Sequence, residues 1–155
     1  MPQKPPENQR RILNKKARHD YHILATLEAG ITLTGSEVKS LRAGQAQLTD
    51  AFVQIRGTAV TLIGAQIDRY PPATDRNHDP QRKRRLLLHK REIIKLEPQL
   101  AQKGTTLIPL TIYFNDRGLA KIELAIAIGK KTFDKRQDLK KREHQRDIDR
   151  AMRHR

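Results

Sequence analysis

The 155-residue sequence contains no cysteine and no long apolar run. Without cysteine neither a disulfide nor a thiolate metal site can form, and a reducing compartment fits such a composition. No apolar segment approaches the roughly 20 residues that cross a bilayer. The N-terminal stretch MPQKPPENQRR also lacks the apolar core of a signal peptide. We therefore expect a cytoplasmic protein.

Aromatic side chains make up only 4% of the chain. A surface that stacks single-stranded bases needs several exposed aromatic rings. We expect at least Phe52 and Phe114 to lie in the core, which leaves few rings for such a surface. The sequence therefore disfavours readout of single-stranded bases and favours recognition of a folded RNA through its shape and phosphates.

Acidic residues are few relative to basic ones, with 17 Asp and Glu against 32 Lys and Arg. Of the net charge of +15, seven charges fall in residues 14–128, six in residues 129–155 and two in residues 1–13. The basic excess thus covers the body of the chain as well as its tail. A polyanion is the natural partner, nucleic acid first. The alternative is a solvated basic surface that has no specific partner.

Alternating apolar residues predict a mainly β fold. Residues 21–29 alternate, residues 51–62 form a hairpin around Gly57, and residues 108–128 form a hairpin around a turn at 115–118. We expect about six strands and no strand–helix–strand repeat, which predicts a small antiparallel barrel. An oligonucleotide-binding barrel is the commonest such fold in a basic protein of this size.

Two or three short helices accompany the strands. Thr34 and Glu37 have the spacing of a capping box, and Gly44 can end the helix that they begin. The segment KREIIKL starts a second helix, which Pro98 is expected to end or kink. Residues 71–85, PPATDRNHDPQRKRR, are predicted to form a loop that ends in four basic residues.

The two ends of the chain differ from the body. Residues 1–13 are predicted to be a disordered leader because they are rich in proline, glutamine and charge. Residues 14–128 form the barrel domain, and residues 129–155 form a basic tail without an apolar stripe wide enough to dock on a core. Isolated helices of this size are marginal in water. We expect the tail to be disordered when free and helical once a polyanion neutralises it.

Catalysis and metal binding find little support. His19 and His22 are too few for a metal site in a chain without cysteine. A nuclease-like carboxylate cluster holding Mg²⁺ is conceivable, but the spacing of the acidic residues does not require one. The candidates for such a cluster are Glu28, Glu37, Asp50, Asp79, Glu92 and Asp116. With no phosphate-binding glycine loop and no nucleophile motif, we expect neither an enzyme nor a cofactor.

Five segments carry a resemblance to a known family. They are NKKARHDY, EAGITLTGSEVKSLRAG, NHDP, RLLLHKREI and GKKTFDKR. In this order and spacing, from about Asn14 to the C-terminus, they closely resemble the small protein B family. Members of that family bind transfer-messenger RNA. The alternative from another class is a structural ribosomal protein or a general RNA chaperone.

The resemblance implies a non-enzymatic protein with an oligonucleotide-binding barrel. Such a protein holds the tRNA-like domain of transfer-messenger RNA, as a monomer bound 1:1, and delivers it to stalled ribosomes. Its tail then enters the empty mRNA channel near the decoding site, where it meets small-subunit RNA and folds as a helix. This implies that the tail senses the absence of mRNA.

The resemblance also implies two sets of contact residues. In the RNA-binding set, Glu28 would accept hydrogen bonds from base edges, while Leu87 and His89 would pack against an unstacked base. That set is Asn14, Lys16, Arg18, Tyr21, Glu28, Lys39, Arg42, Arg85, Leu87 and His89. The ribosome-binding set of the tail is Lys130, Lys131, Phe133, Asp134, Lys135 and Arg136.

Three positions in these sets call for comment. Asp134 is unexpected for phosphate binding and is predicted to cap the start of a tail helix. His89 stands where many relatives have Asn, which predicts a weaker cap on the following helix. Phe133 stands where relatives often have Tyr or His, so it can stack on a base but cannot donate a hydrogen bond.

Overall fold

The structure, a computed structural model, describes residues 10–153. Most of the predicted disordered leader, residues 1–9, and the last two residues of the tail lie outside the described residues. The strands are β1 (Ile12–Leu13), β2 (Tyr21–Ile31), β3 (Ala46–Gln47), β4 (Phe52–Arg56), β5 (Ala59–Ile63), β6 (Gln66–Ile67), β7 (Arg84–Leu87), β8 (Thr105–Phe114) and β9 (Ala120–Gly129). The α-helices are α1 (Ala17–Asp20), α2 (Gly35–Arg42), α3 (Lys90–Leu100) and α4 (Thr132–Arg153).

Six strands close into a ring of antiparallel pairings. Their order is β8, β4, β5, β7, β2 and β9, and β9 pairs back onto β8. Strand β1 pairs with β8, and β3 pairs with β6 in a separate two-stranded sheet. Closure leaves no free sheet edge in the ring, which is how small antiparallel barrels avoid edge pairing with other chains. The prediction of a mainly β, antiparallel barrel with short helices is confirmed at this level.

The hydrophobic core fills the barrel interior. Leu62 of β5 and Ile122 and Leu124 of β9 are fully buried, and their positions follow the two-residue alternation of the strands. Leu41 of α2 and Ile67 of β6 are fully buried in the same cluster.

Strand β8 departs from this alternation. Both of its faces are covered, since α1 and the start of β2 pack on the outer side of the barrel around Ala17, Ile108 and Leu110. A register shift at Pro109 accompanies the change of face. The single alternation predicted over residues 108–114 therefore divides, with Ile108 and Leu110 in the outer cluster and Ile112 and Phe114 in the barrel core.

The chain pairs with the barrel earlier than the sequence predicts. Ile12 lies opposite Ile112 and is 7% exposed, so the last two residues of the segment predicted as leader pair with β8. Arg10 donates a hydrogen bond to the carbonyl of Ala43 at 2.6 Å. The two apolar residues Ile12 and Leu13 join the polar N-terminal segment to the sheet, because they pair with β8 beside β4.

Pro98 neither ends nor visibly divides the second helix. Helix α3 runs on to Leu100, and the amide of Ala101 still bonds the carbonyl of Glu97 at 3.0 Å. Pro98 is exposed in the last turn of α3. Because proline has no amide hydrogen, one backbone hydrogen bond is lost there, and the helix ends two residues later. The predicted loop at residues 71–85 contains a short 3₁₀ helix at Pro71–Arg76 and ends in strand β7.

Phe52 was expected in the core, and this is wrong. Its side chain is 43% exposed, whereas Phe114 is 5% exposed, as expected. Strand β4 begins at Phe52 and buries Val53 instead, so the alternation places Phe52 on the outer face.

Most of the tail is helical in the structure. Residues 132–153 form helix α4, and none of them is buried. The disorder expected of the free tail stays a prediction. No apolar stripe holds it, in agreement with the sequence. The contacts that hold it are polar and lie in its first two turns, as described below.

Candidate nucleic-acid interface

Strands β2, β7 and β9 present an exposed depression on the barrel. Leu87 ends β7 with its side chain 57% exposed, directly opposite Gly30 of β2. A Cβ at position 30 would lie 3.2 Å from Leu87 Cβ, so a larger residue there would make Leu87 shift by a few tenths of an ångström. The depression, of about 310 Å³, is also lined by Arg85, His89 and Lys121. An apolar side chain thus lies among basic ones.

Glu28 lies beside this surface on β2, with its side chain 53% exposed. Its carboxylate accepts a hydrogen bond from the hydroxyl of Tyr113 and lies 4.0 Å from Lys121 Nζ. Arg11 covers the ring of Tyr113 at 5.3 Å from its centroid. These contacts fix the carboxylate at the surface and leave it acceptor capacity for a partner.

His89 begins helix α3 next to the same depression. Its backbone amide donates to the carboxylate of Glu92 at 2.8 Å, and the two residues form a capping box. That histidine caps this helix more weakly than asparagine stays a prediction. The ring remains exposed, so position 89 combines a helix cap with a surface side chain.

Helix α2 carries two exposed cations that do not line this depression. Lys39 Nζ lies 5.3 Å from the centroid of the Tyr70 ring, and the Arg42 guanidinium lies 4.9 Å from that of Phe114. Their aromatic partners restrict where the two charges stand while leaving them open to solvent.

The N-terminal members of the predicted RNA-binding set divide into two kinds. Asn14 bonds the backbone of β8 twice, through its amide to Leu110 at 2.8 Å and through its side chain to Pro109 at 2.9 Å. Tyr21 is half-buried against the small outer cluster. Lys16 and Arg18 are exposed. The structure therefore gives the first two a supporting role and leaves the other two available for contact.

The four basic residues at 82–85 also divide. Lys83 and Arg85 are exposed, whereas Arg84 is fully buried and Arg82 is partly buried, because strand alternation turns successive side chains to opposite sides. Arg84 Nε lies 2.9 Å from the carboxylate of Glu37, which is itself fully buried in α2. Alternation in RRLL is the signal from which this division could have been predicted.

Glu37 is the centre of a buried ion network. It accepts hydrogen bonds from Arg82 at 2.8 Å and from the amide of Thr34 at 2.8 Å, in addition to Arg84. Desolvation by burial raises the pKa of Glu37, but the hydrogen bond from Arg82, that from Thr34 and the charge of Arg84 together lower it to about 2. The same desolvation lowers the pKa of Arg84. The network fastens α2 to β7.

The NHDP segment is structural as well. His78 is buried, with Nδ1 at 2.8 Å from Ser36 Oγ and Nε2 at 2.9 Å from the carbonyl of Ile67. It ties the loop before β7 to α2 and β6. Sequence reasoning offered no role for this histidine, since its partners are remote in the chain.

The start of the tail is held to the body by polar contacts. Lys130 is nearly buried, with a side chain 7% exposed, and its Nζ bonds the carbonyl of Arg18 at 2.9 Å and the carboxylate of Asp138. Lys135 Nζ lies 3.2 Å from the carboxylate of Asp20. The hydrogen bond from His19 lowers the pKa of Asp20, and Lys135 adds to this effect. The hydrogen bond from Lys130 likewise lowers the pKa of Asp138.

The remaining tail residues of the predicted set face outward. Lys131, Phe133 and Arg136 are exposed, Phe133 at 68%. Asp134 lies in the first turn of α4, where the helix dipole stabilises an acid, and 3.7 Å from His22 Nε2. Asp134 is the third residue of α4, so the helix begins earlier than a cap at this position predicts, and Asp134 acts within the first turn.

Two other features, a metal site and a membrane-spanning helix, are absent from residues 10–153. No three His, Asp or Glu side chains there come together in a way that could hold a metal ion. None of the helices in this part of the chain is long and apolar enough to cross a membrane.

A closed antiparallel barrel with a basic, partly apolar depression and a basic helix after its last strand defines a β-barrel protein that binds nucleic acid. Residues 11–154 match the family model described as SmpB protein. The chain belongs to the SmpB family.

Relatives of known name agree with this assignment. The SsrA-binding protein of Acidothermus cellulolyticus is 55% identical over 90% of this chain and 87% of its own length. The SsrA-binding protein of Desulforamulus reducens is 51% identical over 92% of this chain and 88% of its own. A solved structure titled "tmRNA-SmpB: a journey to the center of the bacterial ribosome" is 50% identical, with a TM-score of 0.68, and the match covers 79% of this chain and 85% of that one.

Proposed function

We propose that this protein binds transfer-messenger RNA and acts with it in trans-translation, the rescue of stalled ribosomes. The relatives at about 50% identity are SsrA-binding proteins, and the similar solved structure is that of a transfer-messenger RNA complex on the ribosome. The observation that carries the proposal is the exposed Leu87, which lies opposite Gly30 and lines one depression with Arg85, His89 and Lys121. An apolar contact surrounded by cations suits an unstacked base next to phosphates.

The barrel holds the tRNA-like domain of the RNA. Leu87 and the ring of His89 pack against an unstacked base, while Arg85 and Lys121 neutralise nearby phosphates. Glu28, which Tyr113 holds at the surface, accepts hydrogen bonds from base edges. Lys16, Arg18, Lys39 and Arg42 add exposed charge to the body's RNA-binding surface.

The tail contacts the ribosome. Lys131, just before α4, and Phe133 and Arg136 in its first turns are exposed and can meet small-subunit RNA at the decoding site and in the empty mRNA channel. Helix α4 gains stability there because RNA phosphates neutralise like-charged pairs such as Arg146 and Arg150. A channel already filled by mRNA excludes the helix, so the tail senses missing mRNA.

The protein works without catalysis of its own and without a metal or cofactor, as a monomer bound 1:1 to its RNA in the cytoplasm. Residues 14–128, extended at the start by β1, are the RNA-binding domain, and residues 129–155 are the tail. We assign the barrel to the oligonucleotide-binding type on the support of its closed antiparallel ring and its basic surface. Such barrels usually have five strands, whereas six close the ring here.

Two variants with opposite defects test the proposal. A chain that ends after Lys131 lacks α4 but keeps β9 and Lys130, so it should bind transfer-messenger RNA with unchanged affinity and fail to tag the nascent chain on stalled ribosomes. The Leu87→Ser variant keeps the tail and should bind the RNA more weakly. Mobility-shift titration and a reconstituted tagging assay measure the two effects.

The outcomes separate the candidates. Loss of RNA binding on removal of α4 would show that the tail is part of the RNA-binding surface and that the division into body and tail is wrong. Equal binding of transfer-messenger RNA and unrelated structured RNAs would instead favour a general RNA chaperone. Retention on ribosomes through high-salt washing without transfer-messenger RNA would favour a structural ribosomal protein.

A further inference from the structure

A row of directly opposed residues crosses the outer face of the barrel from β7 to β8. Leu87 of β7 lies opposite Gly30 of β2. On β9, Lys121 lies opposite Gly30 on one side and opposite Tyr113 of β8 on the other. Arg11 contacts the end of this row, because its guanidinium lies 5.3 Å from the centroid of the Tyr113 ring. We call Arg11, Tyr113, Lys121, Gly30 and Leu87 the stripe.

The stripe connects two depressions of the surface. The first, of about 310 Å³, contains Leu87 and is bordered by Lys121. The second, of about 390 Å³, is lined by basic, aromatic and acidic side chains, among them Arg11, Tyr113, Glu28 and Glu123. Lys121 Nζ also lies 4.0 Å from the carboxylate of Glu28. The two depressions are therefore neighbours on one continuous surface, and Lys121 lies between them.

Arg11 is the residue of the stripe that the fold itself does not require. It lies just before β1, within the segment predicted as a disordered leader, and its side chain is exposed. The ring of Tyr113 restricts the guanidinium without taking up its N–H donors in ordinary hydrogen bonds. A cation that is already restricted loses less conformational freedom when it binds an anion. Arg11 is thus prepared to contact a partner outside the chain.

We propose that Arg11 is a phosphate-contact residue at the far end of an RNA-binding surface that runs from Leu87 across the barrel to β1. The inference rests on the proposed function. Neighbouring strands lie about 4.8 Å apart, so the strand spacings from β7 to β8 separate Leu87 from Tyr113 by about 14 Å. A stacked nucleic-acid strand advances only about 3.4 Å per nucleotide. The stripe is therefore long enough for more than the one nucleotide whose base packs on Leu87.

The second depression suits the nucleotide that follows along the stripe. Glu28 and Glu123 lie directly opposite each other on β2 and β9. Carboxylates accept hydrogen bonds from the amino groups of bases and repel phosphates. A base edge that carries an amino group can therefore lie against these two residues, whereas its phosphate needs a cation. Arg11, on the β1 side of Tyr113, supplies that cation.

Salt-dependent binding of the full-length chain to transfer-messenger RNA tests the role of Arg11. Arg11→Gln should weaken binding by up to about fivefold, as expected for loss of an exposed ionic contact, and should reduce the salt slope by about one ion. Arg11→Lys keeps the charge and should restore the slope. Lys103→Gln is the control, because it removes an exposed charge just before the opposite end of β8, and it should match wild type.

Two variants at Tyr113 test whether the ring acts through Arg11. Tyr113→Phe and Tyr113→Leu both lose the hydroxyl that bonds Glu28, but only Tyr113→Leu loses the ring. The difference in RNA affinity between these two variants therefore reports the ring alone. It should disappear when both variants also carry Arg11→Gln.

Three results would overturn the inference. They are an unchanged salt slope in Arg11→Gln, an equal loss of affinity in Lys103→Gln, and a difference between the Tyr113 variants that persists in the Arg11→Gln background. An RNA hairpin of unrelated sequence tests the proposed function separately. If the wild-type chain binds this hairpin as tightly as transfer-messenger RNA, the proposed function fails, while the salt slope of Arg11→Gln with the hairpin still tests the phosphate contact.

Discussion

Replacing Glu37 by Gln keeps the size and shape of a buried side chain and removes its charge. Glu37 is fully buried and contacts Arg84, also fully buried, at 2.9 Å. The change leaves a guanidinium without its counterion inside the protein. Breaking a buried pair from one side costs about 3–5 kcal/mol of unfolding free energy.

The pKa of Glu37 reflects the whole network, in which Arg82 and Thr34 act on the carboxylate together with Arg84. It falls from 4.5 to about 2 on folding, a difference that corresponds to about 3 kcal/mol favouring the ionised carboxylate. Because the pKa is lower in the folded chain, this contribution is complete above about pH 4.5 and is lost as the pH falls toward 2. The two estimates agree in size although they have different origins.

Urea unfolding at pH 7 and at pH 3, followed by circular dichroism, measures the prediction. Glu37→Gln should lose about 3 kcal/mol or more at pH 7 and less at pH 3, where wild type has lost part of the contribution. Glu97→Gln, an exposed change on α3, is the control and should stay within about 0.5 kcal/mol.

A double-mutant cycle with Arg84→Gln isolates the pair. The double variant should be less destabilised than the sum of the single ones, because neither charge is then left without the other. Two results would refute the conclusion that the network stabilises the contact of α2 with β7. One is a loss of unfolding free energy below about 1 kcal/mol for Glu37→Gln at pH 7. The other is a double variant whose destabilisation equals the sum of the single ones.

Three further predictions follow from single observations. Gly64→Ala should destabilise the chain by about 1–3 kcal/mol in urea unfolding, because φ is +79° and the new Cβ would lie 3.2 Å from the carbonyl of Asp50, while Gly35→Ala, with open space around it, should not. Leu87→Ser should leave the melting temperature nearly unchanged because the side chain is 57% exposed, even as RNA affinity falls. The affinity for transfer-messenger RNA should fall linearly with salt on logarithmic axes, and Arg85→Gln should reduce the slope by about one ion; an unchanged slope would show that Arg85 does not contact a phosphate.

Local sequence patterns determined much of this protein. Alternation fixed which residues of β5 and β9 face the core, and the capping-box spacing of Thr34 and Glu37 fixed the start of α2. These features depend on interactions between residues a few positions apart, which the sequence displays directly. The family motifs added the candidate interface, and they named Leu87 and His89, which the structure brings together in one depression.

Tertiary structure alone decided how charge is used. Alternation in RRLL separates Arg84 from Arg85, but only the fold pairs the buried Arg84 with Glu37, 47 positions away. Lys130 and Asp20 likewise acquire their roles from partners more than 100 residues distant in the chain or on another element. In the sequence, a charged residue looks the same whether its side chain contacts water, RNA or an internal counterion. Which of these it meets depends on the closure of the barrel, because closure sets the distances between residues that the sequence keeps apart.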